Sequence, residues 1–348
     1  MYQAIHYDDH GPMTDPCRYL RRHDLVYRRP ALRPYDGVPV GTGDAGGLLY
    51  QTAYGLELTV NHADALDYAP DGAMQAWAWE AEERQTAPVS CGHLSIRSTL
   101  PIFDWVYLEA FEQRLIASIE GRAKTPFAEA SWKLYAPREP DVLVLELEIE
   151  QTEEAALEIQ IDKWPSPSFF HHYEQILDIH DKNLYCVRAE ANRDALLVTQ
   201  ALHRCRTAVS CGGEPEQLNS HAVCCRFPKQ KRHRLTLYLA ARASAEASVR
   251  ENTLAALTAA KDAPSLWQTH CRYWQDFWSR SFLHLQENDY LENLCYLHLY
   301  QMGCGNRGKN PLTFAGLWGW FRDARNWGHF YHWNHQQNYW GLYEIGRA

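Results

Sequence analysis

Between Val38 and Arg242 apolar and polar residues alternate with a period of two. Leu56-Glu57-Leu58-Thr59-Val60 is one such run. Leu145-Glu146-Leu147-Glu148-Ile149-Glu150 is another, and Leu157-Glu158-Ile159-Gln160-Ile161 a third. Residues 93–98, 105–119, 184–188, 196–202, 221–227 and 235–240 continue the series. Turn signals separate them: Tyr54-Gly55, Asp71-Gly72, Asp181-Lys182-Asn183 and Gly212-Gly213. A strand with one apolar and one polar face belongs to an antiparallel sheet wetted on one side. More than ten such strands predict two packed sheets, so residues 1–242 read as a large antiparallel β-sandwich.

Beyond residue 243 the period becomes helical. Residues 243–260 are alanine-rich, and Pro264 stops them. Ser265 stands at the N-cap of a second helix, with Leu266, Trp267, His270, Tyr273, Trp274, Phe277 and Trp278 at helical spacing. These two helices make residues 243–287 a helical linker. A third helix starts at Asn288-Asp289, where Asp289 and Glu292 have the spacing of a capping box. It runs to Gly303 and is apolar nearly all round, through Tyr290, Leu291, Leu294, Cys295, Tyr296, Leu299, Tyr300 and Met302. Helices of that kind are buried among other helices. The neighbours expected of such a helix are missing from residues 288–348. Eight of the 13 tryptophans follow residue 264. A monomer rarely leaves that much apolar surface bare, so a missing C-terminal part or a partner chain is expected to cover this face.

Composition narrows the function classes. The 348 residues carry a net charge of -9, which leaves no basic footprint for nucleic acid. The one basic run, Lys229 to Arg234, follows a proline and reads as a solvated strand start. No apolar stretch has the length of a membrane span, and Met1-Tyr2-Gln3-Ala4-Ile5-His6 is no secretory leader, so a soluble, cytoplasmic protein is expected. The ten cysteines are irregularly spaced, include the neighbours Cys224 and Cys225, and form no CxxC. Reduced, mostly buried thiols fit that pattern better than disulfides or a zinc site.

Gly41-Thr42-Gly43-Asp44-Ala45-Gly46 is a literal GxGxxG. A dinucleotide site needs a helix directly after it, and here a strand pattern follows, so a glycine turn feeding the sandwich is expected. His171, His172, Glu174, Asp178 and His180 have no metal-ligand spacing and read as a surface loop. No cofactor is implied.

The chemistry concentrates at the end of the chain. Leu317-Trp318-Gly319-Trp320 precedes His332-Trp333-Asn334-His335-Gln336-Gln337-Asn338-Tyr339-Trp340. Flat aromatic faces among amide and imidazole groups suit sugars, which present apolar C–H faces and hydroxyl edges. A buried segment would need every amide satisfied, and a polar cavity meets that condition.

These stretches resemble glycoside hydrolase family 95, the α-L-fucosidase and α-L-galactosidase family, and related six-hairpin glycosidases. Pro39-Val40-Gly41-Thr42-Gly43-Asp44-Ala45-Gly46 is similar to the family's Pro-x-Gly-Asn-Gly-x-x-Gly, with Thr42 at the Asn position. Pro311 through Trp340 looks like its Gly-Leu-Trp and His-x-Asn-x-Asn-x-Gln-x-Asn-Tyr-Trp succession. The resemblance implies a sandwich, a helical linker and the start of an (α/α)6 barrel, with an oligosaccharide or glycoside as substrate. It also implies inversion by a Glu acid and an Asp base, held about 6.5–9.5 Å apart. Both are expected beyond Ala348, which would leave this portion inactive alone. Anchored on Asn338-Tyr339-Trp340, Gln336 matches the motif's Gln, Asn334 its second Asn, and His332 stands where the first Asn would be. Anchored on the His, His332 and Asn334 match the His and first Asn, with two residues missing before Tyr-Trp. Asn334 survives either way and one asparagine is lost, as in a divergent branch. Asn334 and His332 are thus the implied water-handling residues, and Trp318, Trp320, Gln336, Asn338 and Trp340 the implied sugar contacts. Two rivals remain: a non-catalytic carbohydrate-binding or assembly module, and a phosphorolytic relative whose phosphate would need Arg307, Arg322 or Arg325.

Overall fold

A computed structural model describes residues 7–8, 11–12, 19–68, 86–88, 90–163, 187–192, 195–202, 205–211, 216–244, 248–281, 283–285, 288–307, 312, 317–318 and 333–344. Its strands are β1 (Tyr7–Asp8), β2 (Gly11–Pro12), β3 (Leu25–Tyr27), β4 (Val38–Gly41), β5 (Ala45–Thr52) and β6 (Gly55–His62). Next come β7 (Leu66–Tyr68), β8 (Thr86–Pro88), β9 (Gly92–Ser98), β10 (Ala110–Leu115), β11 (Ile119–Lys124) and β12 (Ala128–Tyr135). The last are β13 (Leu143–Asp162), β14 (Val187–Asn192), β15 (Ala195–Leu202), β16 (Cys205–Cys211), β17 (Glu216–Asn219) and β18 (Ala222–Ser244). Among the described residues these are followed by the α-helices α1 (Val249–Asp262), α2 (Leu266–Arg280), α3 (Asp289–Gly305) and α4 (Trp333–Glu344).

The protein is thus mainly antiparallel sheet, built around two long strands. The first half of β13 pairs with β12 and with the second half of β18; its second half pairs with β9 and with the first half of β18. One arm of the sheet runs β3-β10-β11-β12 into this ribbon and leaves as β16-β15-β14. The other arm is β4-β5-β6-β9. Where the arms diverge, the ladder slips between Glu150 and Ala155. Such bulges bend a strand and sharpen its twist, which lets one ribbon serve both arms. The alternating side chains fill the core between them: Leu49, Leu58, Leu94, Ile96, Leu145, Ile149 and Leu157 are all fully buried. Each contributes about 1.5–3 kcal/mol relative to exposure.

Several sequence expectations change here. The runs at 145–150 and 157–161 are one strand, as are those at 221–227 and 235–240. The basic run is therefore inside a strand and not at its start. Glu148 explains it, pairing across the ladder with both Arg232 and Arg234. The run 105–119 splits into β10 and the start of β11, because Ile116 N–H donates to Ser118 O and closes a hairpin. The alanine-rich helix begins only at Val249, since β18 holds residues through Ser244. At the second helix Ser265 is the N-cap residue, but its side chain makes no capping bond.

The capping box on α3 does not form either. Asn288 is the N-cap, its Oδ1 accepting from Leu291 N–H at 3.0 Å. The Glu292 carboxylate turns inward instead and is fully buried. It accepts from Tyr19 O–H, from Leu285 N–H at 2.7 Å, and lies 2.6 Å from His23 Nε2. Among the described residues no helix is long and apolar enough to cross a membrane. Cys91, Cys224, Cys225, Cys271, Cys295 and Cys304 are free thiols. The histidine-rich loop at 171–180 lies outside the described residues.

Candidate functional site

The site is assembled where the C-terminus of α3 meets the glycine turn between β4 and β5. A helix C-terminus presents unpaired carbonyls and a negative dipole end. Gly43 N–H donates to Cys304 O at 2.7 Å, and Arg138 Nη2 donates to both Gly303 O and Asn306 O at 2.7 Å. Gly43 has φ +104°, which a side chain would resist, and Gly41 lies so close that a Cβ there would sit 2.4 Å from Cys304 O. The GxGxxG is therefore a hairpin turn, as its flanking pattern predicts, and it serves as the seat for a helix end. Thr42 braces it: its Oγ1 accepts from Ala45 N–H at 2.8 Å and bonds Asp141. Cys304 is enclosed here, and burial pushes its thiol up to about 12.

From this seat two links reach the closing segment. Trp318 Nε1 donates to Val40 O at 2.9 Å, beside the buried Leu317. Asn306 Oδ1 accepts from Leu312 N–H and from Tyr339 O–H, each at 3.0 Å, while its amide nitrogen donates to Met302 O at 3.1 Å. One asparagine thus joins the end of α3, the connecting chain and α4. Sequence reasoning missed it, although an Asn just past a helix end is a recognisable stop signal.

On α4, Leu342 is buried and Asn338 half-buried, whereas Gln336 is exposed and Trp340 is 52% exposed. His298 on α3 faces the backbone of Asn338; burial lowers its pKa and that hydrogen bond opposes the shift only partly. Asn334 lies one turn before Asn338, so the two positions share a helix face. Of Asn334 only the backbone is described; His332, Trp320, Arg322 and Arg325 lie outside the described residues. Trp318 is thus held by β4 and Asn338 lies against His298 of α3, with Gln336 and Trp340 exposed on the same short helix as Asn338.

Arg307 is already engaged. Its guanidinium bonds Glu139 and lies 3.4 Å from Asp44 and 3.9 Å from Asp141. Asp141 pairs more closely with Arg242, at 2.8 Å, so the charge of Arg307 is met chiefly by Glu139 and Asp44.

Because Asn306 serves three partners, Asn306→Ala is expected to cost about 1–2 kcal/mol and to act locally. Amide exchange in 333–344 should accelerate while the β13–β18 ladder stays protected; equal acceleration in both would show that the tether is not specific.

No protein-family model matches the sequence, and no curated protein matches it. Solved structures do. A human-microbiome protein assigned as a kojibiose phosphorylase aligns over 85% of this chain and 44% of its own, at 12% identity and TM-score 0.56. A bacterial glucoamylase complexed with acarbose aligns over 80% and 43%, at 9% identity and TM-score 0.38. A family GH92 α-mannosidase from Bacteroides thetaiotaomicron with mannoimidazole aligns over 87% and 42%, at 7% identity and TM-score 0.33. The chain spans less than half the length of each. Only the first of these similarities is close enough to argue from, and at its identity it concerns the backbone: this β-rich chain with its trailing helices shares the fold of the matching part of that protein.

Proposed function

We propose that the chain is the N-terminal part of a glycoside hydrolase related to family 95, acting on α-L-fucosyl or similar sugars with inversion. The observation that carries this reading is the anchoring of α4 to the end of α3 through Asn306 and Tyr339. It holds the amide- and aromatic-bearing segment beside a sandwich of glycosidase-like fold. In this reading α3 and α4 belong to an (α/α)6 barrel. The exposed apolar row on α3, with Tyr290 72% exposed beside Leu291 and Leu294, is where further barrel helices dock. Asn334 and His332 hold the attacking water; Gln336, Asn338, Trp318, Trp320 and Trp340 contact the sugar. The acid and base come from the rest of the barrel, and the 348-residue chain alone turns over no glycoside.

A phosphorolytic variant gains support from the fold it shares with the kojibiose phosphorylase-type protein. It loses support from Arg307, whose charge is already met by Glu139 and Asp44. The hydrolytic reading is therefore preferred.

Titrating methyl α-L-fucoside into the purified chain tests the proposal. Saturable binding is expected, and Trp340→Ala, at an exposed position, should weaken it about tenfold, or ~1.4 kcal/mol. Binding indifferent to Trp340→Ala, or no binding, would remove the sugar-contact role. Glycoside turnover by this chain that Asn334→Ala abolishes would refute the need for further barrel residues. Turnover that appears only with phosphate would shift the assignment to the phosphorolytic variant.

A further inference from the structure

Residues 99–109 carry the chain from β9, in one arm of the sheet, to β10, in the other. Ile102 and Phe103 plug the core, and the Phe103 ring meets Trp132 edge-on at 5.3 Å. The backbone N–H groups of both donate to Ala53 O, at 2.9 and 3.0 Å, which pins the connection to the β5–β6 turn. Thr125 Oγ1 donates to Pro101 O at 3.2 Å and Glu109 N–H to Lys124 O at 2.8 Å, which pins it to the β11–β12 turn.

The residues that follow are turned the other way. Trp105, Val106 and Tyr107 are 73%, 63% and 45% exposed in succession, and Tyr54, on the β5–β6 turn, is 48% exposed. Their presentation is fixed. Asp104 Oδ1 accepts from Val106 N–H and Asp104 O from Tyr107 N–H, each at 3.0 Å, and the Tyr107 ring meets Phe127 edge-on at 5.1 Å. Three exposed apolar residues in a row are a defect in a soluble surface unless they serve a function. A loose loop could fold them away; this one is held at both ends and displays them.

Size, charge and position decide what occupies the tip. With about 150–250 Å² for a whole aromatic side chain, the exposed parts of these four residues come to about 400 Å². That matches a functional patch on a monomer, but it is half of the roughly 800 Å² that a stable protein interface takes from each partner. Lys124 is met by Glu129 and Arg97 by Glu57. Of the other charges nearby, Asp104, Glu109, Glu153 and Glu154 outnumber Lys229 and Lys231, so an anionic lipid surface is not attracted. The eight residues of β5, at about 3.4 Å each, put roughly 25 Å between this turn and the seat of α3. What the tip offers is flat rings with phenol hydroxyls at their edges and carboxylates beside them. A pyranose lays its C–H face on such a ring and donates its hydroxyls to such acceptors.

We propose that Trp105, Tyr107 and Tyr54 form a docking platform for a neutral glycan chain, with Asp104 and Glu109 accepting from its hydroxyls. A projecting platform holds a single sugar weakly, whereas successive sugars of one chain engage several rings at once. The platform shares no residue with the α4 site and does not rest on the reading of that site.

Electrophoresis of the 348-residue chain through native gels containing glycogen, xyloglucan or galactomannan provides the test. Retardation by at least one polymer is expected. Trp105→Ala should raise the apparent dissociation constant at least about tenfold and Tyr107→Ala should raise it in the same direction. Leu218→Ala, at an exposed apolar position on β17, should leave it unchanged. The Trp105 side chain projects outward, so its removal reports even if Tyr107→Ala loosens the contact with Phe127. Retardation by none of the polymers, or retardation that Trp105→Ala leaves intact, would overturn the assignment. So would Trp105-dependent sedimentation with phosphatidylserine-containing vesicles without polymer binding, or a dimer that Trp105→Ala dissolves. Failure of the α4 site alone would appear as loss of methyl α-L-fucoside binding with Trp105-dependent retardation retained.

Discussion

Replacing Glu292 by alanine will lower the free energy of unfolding by about 3–5 kcal/mol, the cost of removing one partner from a buried, charge-bearing network. The carboxylate is fully buried and is met by Tyr19 O–H, Leu285 N–H and His23 Nε2. Tyr19 in turn lies 2.7 Å from His284 Nδ1 and accepts from Arg22 at 3.0 Å, while Arg22 pairs with Asp289 at 2.6 Å. The network ties the segment around residue 19 to the first turn of α3. Burial alone would raise the pKa of Glu292. The hydrogen bonds from Tyr19, Leu285 and His23 outweigh burial and hold it below the ordinary 4.5. A depressed carboxyl pKa stabilises the fold above its unfolded value, and that contribution disappears as pH falls through the folded value. Denaturant midpoints for the parent should therefore decline below about pH 4.5, and Glu292→Gln should flatten this acid limb while costing less than alanine. An acid limb of equal slope in Glu292→Gln would assign the dependence to other carboxylates. Burial and the neighbouring carboxylate push the Tyr19 hydroxyl well above its ordinary range, so it remains a donor across this window.

Gly41→Val is expected to cost about 3 kcal/mol, near the upper end for overpacking, and to act on the junction more than on either side of it. A Cβ at this position would stand 2.4 Å from Cys304 O and 3.1 Å from Cys304 Cβ, and backbone cannot swing aside as a flexible side chain can. The C-terminus of α3 would have to lift from the β4–β5 turn. It would then lose the Gly43 bond, and Tyr300 O–H would lose Pro39 O, now at 2.8 Å. Limited proteolysis should show earlier cleavage near residue 307 in the variant while β13 and β18 remain intact. Unchanged cleavage there, with the stability lost elsewhere, would show that the turn is not the seat of the helix.

The two-residue period made the sheet legible, because each strand carries its own pattern and needs no distant partner to be recognised. Legibility ended where long-range pairing decides the outcome. Pro228 and the basic run after it look like a boundary, yet Glu148, some eighty positions earlier, keeps them in the ladder. Residues 105–107 show the converse: Trp105, Val106 and Tyr107 have strand-forming side chains but sit exposed in a turn, with Trp105 73% exposed. Glu292 has the spacing of a capping residue and was drawn inward by Tyr19 and His23, which local pattern cannot reveal. At the candidate site the aromatic-amide composition was visible, whereas the helical form of residues 333–344 was not. Positions Trp333 and Trp340 share one side of the helix and Tyr339 and Leu342 lie toward the other, so no single apolar face marks it, and the tether that fixes the helix is Asn306, outside the cluster.

The shared ribbon also imposes an order in time. Leu143 must wait for Leu239, and Asp162 for Ala222, before β13 has its central partner. At about 5–20 residues per second of synthesis, a nascent chain carries one hydrogen-bonding edge of β13 unpaired for several seconds. β18 supplies the second edge to both halves of β13, so one strand completes the centre of the sheet beside both arms. A ribosome-bound chain ending before residue 222 would therefore hold both arms paired to one edge of β13, with the other edge open until β18 emerges.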